Sequence, residues 1–329
     1  IMSNVSRRNF LQTTAVVGGG LLIRGLSANP VEAAKFPSKA FTMYSAGKAG
    51  GGFDRASRNF APEFERLTGQ PFKPVFAPGA GGVLAATKLL TAKPDGHTVC
   101  YIAYSSMGVS IHVKKPPNFG YDSFAHIGTT YGGPLALFVG KNSKITSIEQ
   151  LVAESKKRRV TAGISGAREW YHVGGLIFNA RTGAKITYVP YGGGGPSRKA
   201  AASGESDAVM TGLFDASSNY DILRCLCIFA EKNPIPQTIQ APTMGDIYGK
   251  KAINMWHPTG LTTSSEVKKK SPENYRYLVD TYRKAITAKV TRDRLIKSGF
   301  PPEALITWGP EEIEEWQRGF LEEVKKISF

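Results

Sequence analysis

Lys185-Ile-Thr-Tyr-Val-Pro-Tyr-Gly192-Gly-Gly-Gly195-Pro-Ser-Arg-Lys-Ala-Ala-Ala-Ser-Gly204-Glu-Ser-Asp-Ala-Val-Met-Thr-Gly-Leu213 is the stretch on which the fold class turns. Ile186 to Val189 is a short β-type run, and four glycines follow it. Pro196 and Ser197 then open an Ala-rich helical run that stops at Gly204, and Ala208 to Met210 begin a second apolar strand. The unit reads strand, turn, helix, strand. Glycine lets the turn tighten and brings backbone N–H groups close to a bound anion, while the helix N-terminus behind it adds partial positive charge. Taken alone, a glycine run is more simply a flexible connection.

The same turn recurs elsewhere along the chain. A strand over Lys39 to Ser45 meets Ala46-Gly-Lys-Ala-Gly-Gly-Gly-Phe-Asp54 and then a helical pattern from Arg55 to Leu67. An extended Phe72 to Phe76 leads through Pro78-Gly-Ala-Gly-Gly82 into an apolar helix, Val83 to Leu90. A third strand, Thr98 to Tyr104, ends at Ser105 and Ser106, and Gly163-Ile-Ser-Gly-Ala-Arg168 precedes the helical run Trp170 to Arg181. Strands alternating with helices predict α/β layers, in which ligands collect outside the carboxyl ends of the strands.

At 329 residues and 41% apolar content the chain can bury a sizeable core, most simply as two domains. Its net charge of +16 is spread out rather than gathered beside aromatic platforms, which argues against a nucleic-acid partner. Lys156-Lys-Arg-Arg159 reads as a solvated helix end. Ser6-Arg-Arg-Asn-Phe-Leu-Gln12, a weakly apolar Thr13 to Leu22 and a small-residue stretch ending Val31-Glu-Ala-Ala34 describe a twin-arginine export signal over residues 1–34. The expected destination is the periplasm.

Three cysteines make a poor disulfide framework, and Cys225 and Cys227, two apart on a strand, are expected on one face as small core residues. The five histidines are scattered, so no metal site is expected.

Neither a dinucleotide fingerprint nor a P-loop fits Gly47 to Asp54, and no cofactor is expected. Gly163-Ile-Ser165-Gly-Ala167 is a loose relative of a hydrolase elbow, with His172 within two helical turns but no acid placed to orient it. Asp54 is equally an N-cap or a ligand contact.

Together, Gly50-Gly-Gly-Phe-Asp-Arg-Ala-Ser-Arg58, Pro78-Gly-Ala-Gly-Gly82, Pro94-Asp-Gly-His-Thr98, His172-Val-Gly-Gly175, Val189-Pro-Tyr-Gly-Gly-Gly-Gly-Pro196 and Ser206-Asp-Ala-Val-Met210 resemble the Bug family. These are extracytoplasmic solute receptors of tripartite tricarboxylate transporters. The resemblance implies a periplasmic-binding-protein-like (type II) fold, with two α/β domains, two crossing strands and a ligand cleft between them. It implies a carboxylate ligand, permease subunits as membrane partners, a monomeric receptor and no catalysis; the competing reading is an exported hydrolase using Ser165 and His172. Carried over position by position, the site falls on Gly51, Gly52, Phe53, Asp54, Ala80, Gly81, Tyr104, Ser105 and Ser106. From the facing wall come Ser165, Gly166, Ala167, Arg168, His172, Tyr191 and Asp207. Crossings near Gly133 to Leu135 and Asn254 to His257 would divide the chain into 35–133 with 255–329, and 134–254. Ala49 replaces a proline usual in the family, and Arg168-Glu-Trp-Tyr171 replaces small polar residues, which makes Arg168 an expected carboxylate contact.

Overall fold

The computed structural model describes residues 35–249 and 254–326, so the export signal expected over residues 1–34 lies outside the described residues. The chain runs β1 (Phe41–Ser45), α1 (Gly52–Thr68), β2 (Phe72–Phe76), α2 (Val83–Leu90), β3 (Thr98–Ala103), α3 (Tyr104–Lys114) and β4 (Phe124–Tyr131). It continues through β5 (Leu135–Gly140), α4 (Ile148–Lys157), β6 (Val160–Ile164), α5 (Trp170–Thr182), β7 (Ile186–Pro190), α6 (Gly194–Ser203), β8 (Ala208–Gly212) and β9 (Leu223–Ile228). A short α7 (Met244–Tyr248) precedes β10 (Thr259–Ser264), and four helices close the chain: α8 (Ser265–Lys270), α9 (Pro272–Thr287), α10 (Lys289–Lys297) and α11 (Pro310–Val324). The apolar runs β5 and β8 are buried at every position, as strands covered on both faces must be, and so is β10, whose small Thr, Gly and Ser residues fit between its neighbours.

The strands form two five-stranded sheets, in the orders β2-β1-β3-β10-β4 and β7-β6-β8-β5-β9. In each, three strands run parallel and the fourth in order runs against them: β10 pairs antiparallel with β3, and β5 with β8. The chain passes from the first sheet to the second between β4 and β5, and returns before β10. These two passages pair with each other, Pro134 bridging Trp256, with Leu135 N–H on the Met255 carbonyl at 2.8 Å and His257 N–H on the Gly133 carbonyl at 2.8 Å. Phe41, Phe60, Phe64, Phe72, Tyr101 and Tyr282 pack the core of the first sheet, and Leu135, Leu137, Ile164, Phe178 and Phe229 that of the second. At about 1.5–3 kcal/mol for each large side chain removed from water, these clusters supply the main favourable term of the fold.

Helix α11 joins the two cores: Ile313 packs with the first sheet's helices, whereas Phe320 and Val324 sit in the cluster of the second. Its inner face carries Ile313, Gln317, Phe320 and Val324, and Gln317 bonds His126 Nε2 at 2.8 Å. One sequence expectation is overturned. Cys227 packs on one face of the second sheet and Cys225 on the other, because a register shift opposite Leu137 and Phe138 inserts a bulge that reverses the alternation.

A second difference matters for function. Helices α1 and α6 begin at Gly52 and Gly194, earlier than the polar and proline signals mark them, so the glycines form the first helical turns themselves. Neither N-cap, Gly51 or Gly193, offers a side-chain bond to the free N–H groups.

Candidate functional site

The carboxyl ends of β1, β3, β6 and β8 turn toward the space between the sheets, and two cavities open there. The larger, of about 720 Å³, takes Gly51, Gly52 and Arg55 from the start of α1 and Gly194, Gly195 and Arg198 from the start of α6. Tyr131, Gly132, Gly133 and His257 of the paired passages form its back, and Tyr171, Thr211, Gly212, Phe214, Asp215 and Phe300 complete the wall. The smaller, of about 230 Å³, is bounded by Ala46, Phe53, the Gly79–Gly82 turn, Ser106, Ser110, Glu169 and Trp170. Gly81 holds φ at +66°, and a Cβ there would stand 2.1 Å from Ser110 Oγ, so the turn can follow this course only with glycine.

Charge separates the two spaces. Arg55 lies over the Phe300 ring, its Cζ 4.7 Å from the centroid, and Arg198 Nε donates to Asn219 Oδ1 at 2.9 Å. Asp215 accepts the Tyr171 hydroxyl at 2.6 Å, and burial together with that carboxylate raises the phenol well above its usual range, so it stays a donor. His257 meets Ser105 Oγ at 2.5 Å through Nδ1 and stacks on Trp170 at 6.0 Å. Enclosure of its ring outweighs the attraction of Asp215 and lowers its pKa to about 4, so it is neutral near pH 7. In the smaller cavity the acidic side chain is Glu169, whose Oε2 accepts the Ser165 hydroxyl at 3.3 Å.

Of the residues expected from sequence, Gly51 and Gly52 line the larger cavity and Phe53, Ala80, Gly81 and Ser106 the smaller. Asp54 clasps its own turn, accepting the Gly50 N–H at 2.7 Å and pairing with Arg58 at 2.6 Å, and so holds the first glycines in place. Tyr104 is fully buried, its single hydroxyl proton shared between the carbonyls of Leu261 and Gly128 where β4 and β10 slip register; it braces the sheet. Ser105 is buried beneath His257.

The facing wall is placed differently from the expectation. Ser165 and Gly166 turn in on Glu169 and line neither cavity, and Ala167 is exposed. Arg168 is exposed in a left-handed conformation (φ 56°), and its backbone N–H, not its guanidinium, makes the local bond, to His172 Nδ1 at 2.9 Å. His172, its pKa lowered by burial and then by Arg168, spends Nδ1 on that N–H, while the Ser165 hydroxyl bonds Glu169 instead. Tyr191 packs its ring against Gly163. Asp207 stands at the opposite end of β8, held by Thr161 N–H at 2.8 Å and Arg158 at 2.8 Å; as the first residue before a parallel strand it cannot reach the carboxyl end where the turns gather.

Arg55, Arg198, Asp215 and His257 were not singled out from sequence as site residues, whereas the aromatic pair Trp170 and Tyr171, expected near the cleft, does stand there. The two arginines carried a usable signal, since a cation in the opening turns of a helix opposes its dipole and calls for an anion nearby.

With this geometry in hand, comparison with known proteins is decisive: the family profile described as "Tripartite tricarboxylate transporter family receptor" matches residues 57–306. The chain belongs to this receptor family. Protein BugT of Bordetella pertussis is 27% identical over 194 residues, 57% of this chain and 59% of that protein, so the chain spans about three fifths of that curated relative's length. A TctC solute-binding protein from Polaromonas superposes with a TM-score of 0.73 at 20% identity, covering 89% of this chain and 100% of that one. MatC from Rhodopseudomonas palustris, solved with bound malate, gives 0.69 at 21% identity over 88% of this chain and 100% of that one. The receptor fold is thus of the periplasmic-binding-protein kind, with two α/β sheets facing a cleft. No described helix is long and apolar enough to cross a membrane, and no described His, Cys, Asp or Glu cluster has the grouping of a metal site.

Proposed function

We propose that this receptor, exported to the periplasm by its twin-arginine signal, captures a small organic carboxylate between its two sheets and delivers it to the membrane subunits of a tripartite transporter without chemical change. The observation that carries the reading is the 720 Å³ cavity into which two uncapped helix N-termini and two guanidiniums converge from opposite halves. Aligned backbone N–H groups and cations favour an anion there and demand none of the acid–base machinery of turnover. The malate held by MatC is in keeping with such a ligand.

The hydrolase alternative finds no support in the described residues, since Ser165 bonds Glu169 and His172 Nδ1 is occupied by Arg168 N–H. The division into 35–133 with 255–329 and 134–254 belongs to the same proposal. Its two passages at Gly133 to Leu135 and Asn254 to His257 act as the hinge, and α11 is the seam the halves share.

Melting the purified chain with a panel of carboxylic acids and their esters, while assaying the panel for turnover, tests this. A cognate acid at a hundred times its Kd adds about 2.7 kcal/mol, a rise of several degrees, and is recovered unchanged. Turnover that disappears in Ser165→Ala would replace the receptor with an enzyme. Scattering should show compaction at saturating ligand; none would remove the hinge.

A further inference from the structure

We propose that helix α10 and the end of α9 form a docking face for a bilayer rich in anionic phospholipid, which keeps the receptor at the membrane where its transporter subunits lie. No residue of α10 lines either cavity, so the face is separate from the site that captures the ligand.

Two observations meet on this face. The large apolar side chains exposed among the described residues are Val75, Leu84, Ile222, Val290 and Ile296, and α10 alone carries two of them, Val290 at 44% and Ile296 at 41% exposure. The helix seats itself through other residues, burying Thr291 completely and placing Leu295 in the core of the first sheet. The helical repeat then puts Lys289, Val290, Asp293, Arg294, Ile296 and Lys297 on the outer arc, where all are exposed. The face is held in place, since Asn59 Nδ2 donates to Ser298 Oγ at 2.9 Å and ties the end of α10 to α1.

Charge is the second observation. Over residues 283–297 the cations are Arg283, Lys284, Lys289, Arg292, Arg294 and Lys297, against the single acid Asp293. Asp293 is taken by Lys289 at 2.6 Å, and the other cations of this stretch make no ion pair among the described residues. Glu63, which feels Arg294, is already bonded to Arg66. The other dense basic run, Lys156 to Arg159, is treated differently: Lys157 pairs with Glu154, Arg158 with Glu154 and Asp207, and none of the exposed apolar side chains belongs to its helix. Cations interleaved with aliphatic side chains on one fixed helix match a bilayer, whose anionic headgroups take the lysines and arginines while the acyl boundary takes Val290 and Ile296. An acidic protein surface would answer the cations and leave the two aliphatic side chains in water. Each basic residue at an anionic surface strengthens binding about fivefold, so a few of them give a reversible residence rather than an anchor.

Sedimentation of the receptor, in the form recovered after export, with vesicles tests this. The vesicles are phosphatidylglycerol mixed equally with phosphatidylcholine, or phosphatidylcholine alone, at physiological ionic strength. Three variants accompany the parent: Arg283→Gln/Lys284→Gln/Lys297→Gln strips cations from the face, Val290→Ser/Ile296→Ser strips its aliphatic side chains, and Lys156→Gln/Lys157→Gln/Arg159→Gln removes the same charge elsewhere. Every changed position is exposed, and melting close to the parent's checks that each variant keeps the fold. The parent should bind the mixed vesicles roughly tenfold or more tightly than the neutral ones. The cation variant of the face should lose roughly thirtyfold, the aliphatic variant roughly threefold or more, and the variant of the other run less than about threefold. Equal losses in the two charge variants would reduce the attraction to net charge and overturn the docking face, as would an aliphatic variant that binds like the parent. A parent indifferent to anionic vesicles overturns it outright, and each of these results leaves ligand capture in the cleft standing.

Discussion

The two cavities, one lined by Trp170 and the other by the His257 stacked on it, are made by one device, a glycine turn at the carboxyl end of a strand, yet they differ in what stands beside the turn. The smaller has a constrained glycine at Gly81, a neutral rim and the carboxylate of Glu169. The larger has Arg55 and Arg198, with Asp215 tied to Tyr171. Backbone alone would let either hold an anion. Side-chain charge separates them, since Glu169 repels a carboxylate in the smaller space, whereas Arg55 and Arg198, only partly offset by Asp215, attract one in the larger. What the contrast teaches is that a conspicuous glycine motif marks where a ligand can approach, and the charged residue a turn further on marks where it stays.

Removing the wall between the cavities has the largest expected effect. Trp170 is 1% exposed, stacks on His257 and meets Phe320 edge-on at 5.0 Å. Trp170→Ala should lower the unfolding free energy in denaturant by about 3–5 kcal/mol and merge the two spaces. A loss under about 1 kcal/mol would mean that the wall is not packed as described.

Next comes the pH response of the larger cavity. The native chain keeps His257 unprotonated down to about pH 4, whereas an unfolded chain takes that proton near the ordinary histidine value of about 6.5. Between those limits the unfolded state holds more protons, so stability falls as pH is lowered through the window. The separation is worth about 3 kcal/mol at most, and nearer 2 once the ring edge open to the cleft is allowed for. Buried His126, also depressed by desolvation, adds in the same direction. Melting from pH 7 to 4 should therefore show a shallower decline in His257→Gln than in the parent; parallel curves would remove His257 from the account.

The smallest effect belongs to Arg168. Glycine takes its left-handed φ without strain, so Arg168→Gly should leave stability within about 1 kcal/mol of the parent, on the stabilising side, with ligand affinity changed by less than about twofold. A tenfold loss of affinity would restore this guanidinium to the site.

Much of the fold was legible because it is written in periodicity and punctuation. The ranges Phe72 to Phe76 and Val83 to Leu90 coincide with β2 and α2, and the glycines after α1, α5 and α6 stop those helices in left-handed turns. Local signals failed where tertiary geometry intervened. The bulge that splits Cys225 from Cys227 depends on pairing with β5, and the direction of Asp207 depends on which end of β8 it occupies. In the site, the glycines of the first turn were recognisable by type. Arg168 was an expected contact because it stands where the family has small polar residues; in the structure it lines neither cavity, whereas Arg55 and Arg198 line the larger one, a convergence of two distant turns that local sequence does not show.

The most direct test compares the cavities by their own charges. Titrating one cognate carboxylate into the parent, Arg198→Gln and Glu169→Gln by calorimetry should show Arg198→Gln binding roughly ten- to a hundredfold more weakly and Glu169→Gln within about threefold of the parent. If Glu169→Gln tightens binding tenfold while Arg198→Gln leaves it unchanged, the anion sits in the smaller cavity and the assignment of the ligand to the cleft between the arginines is wrong.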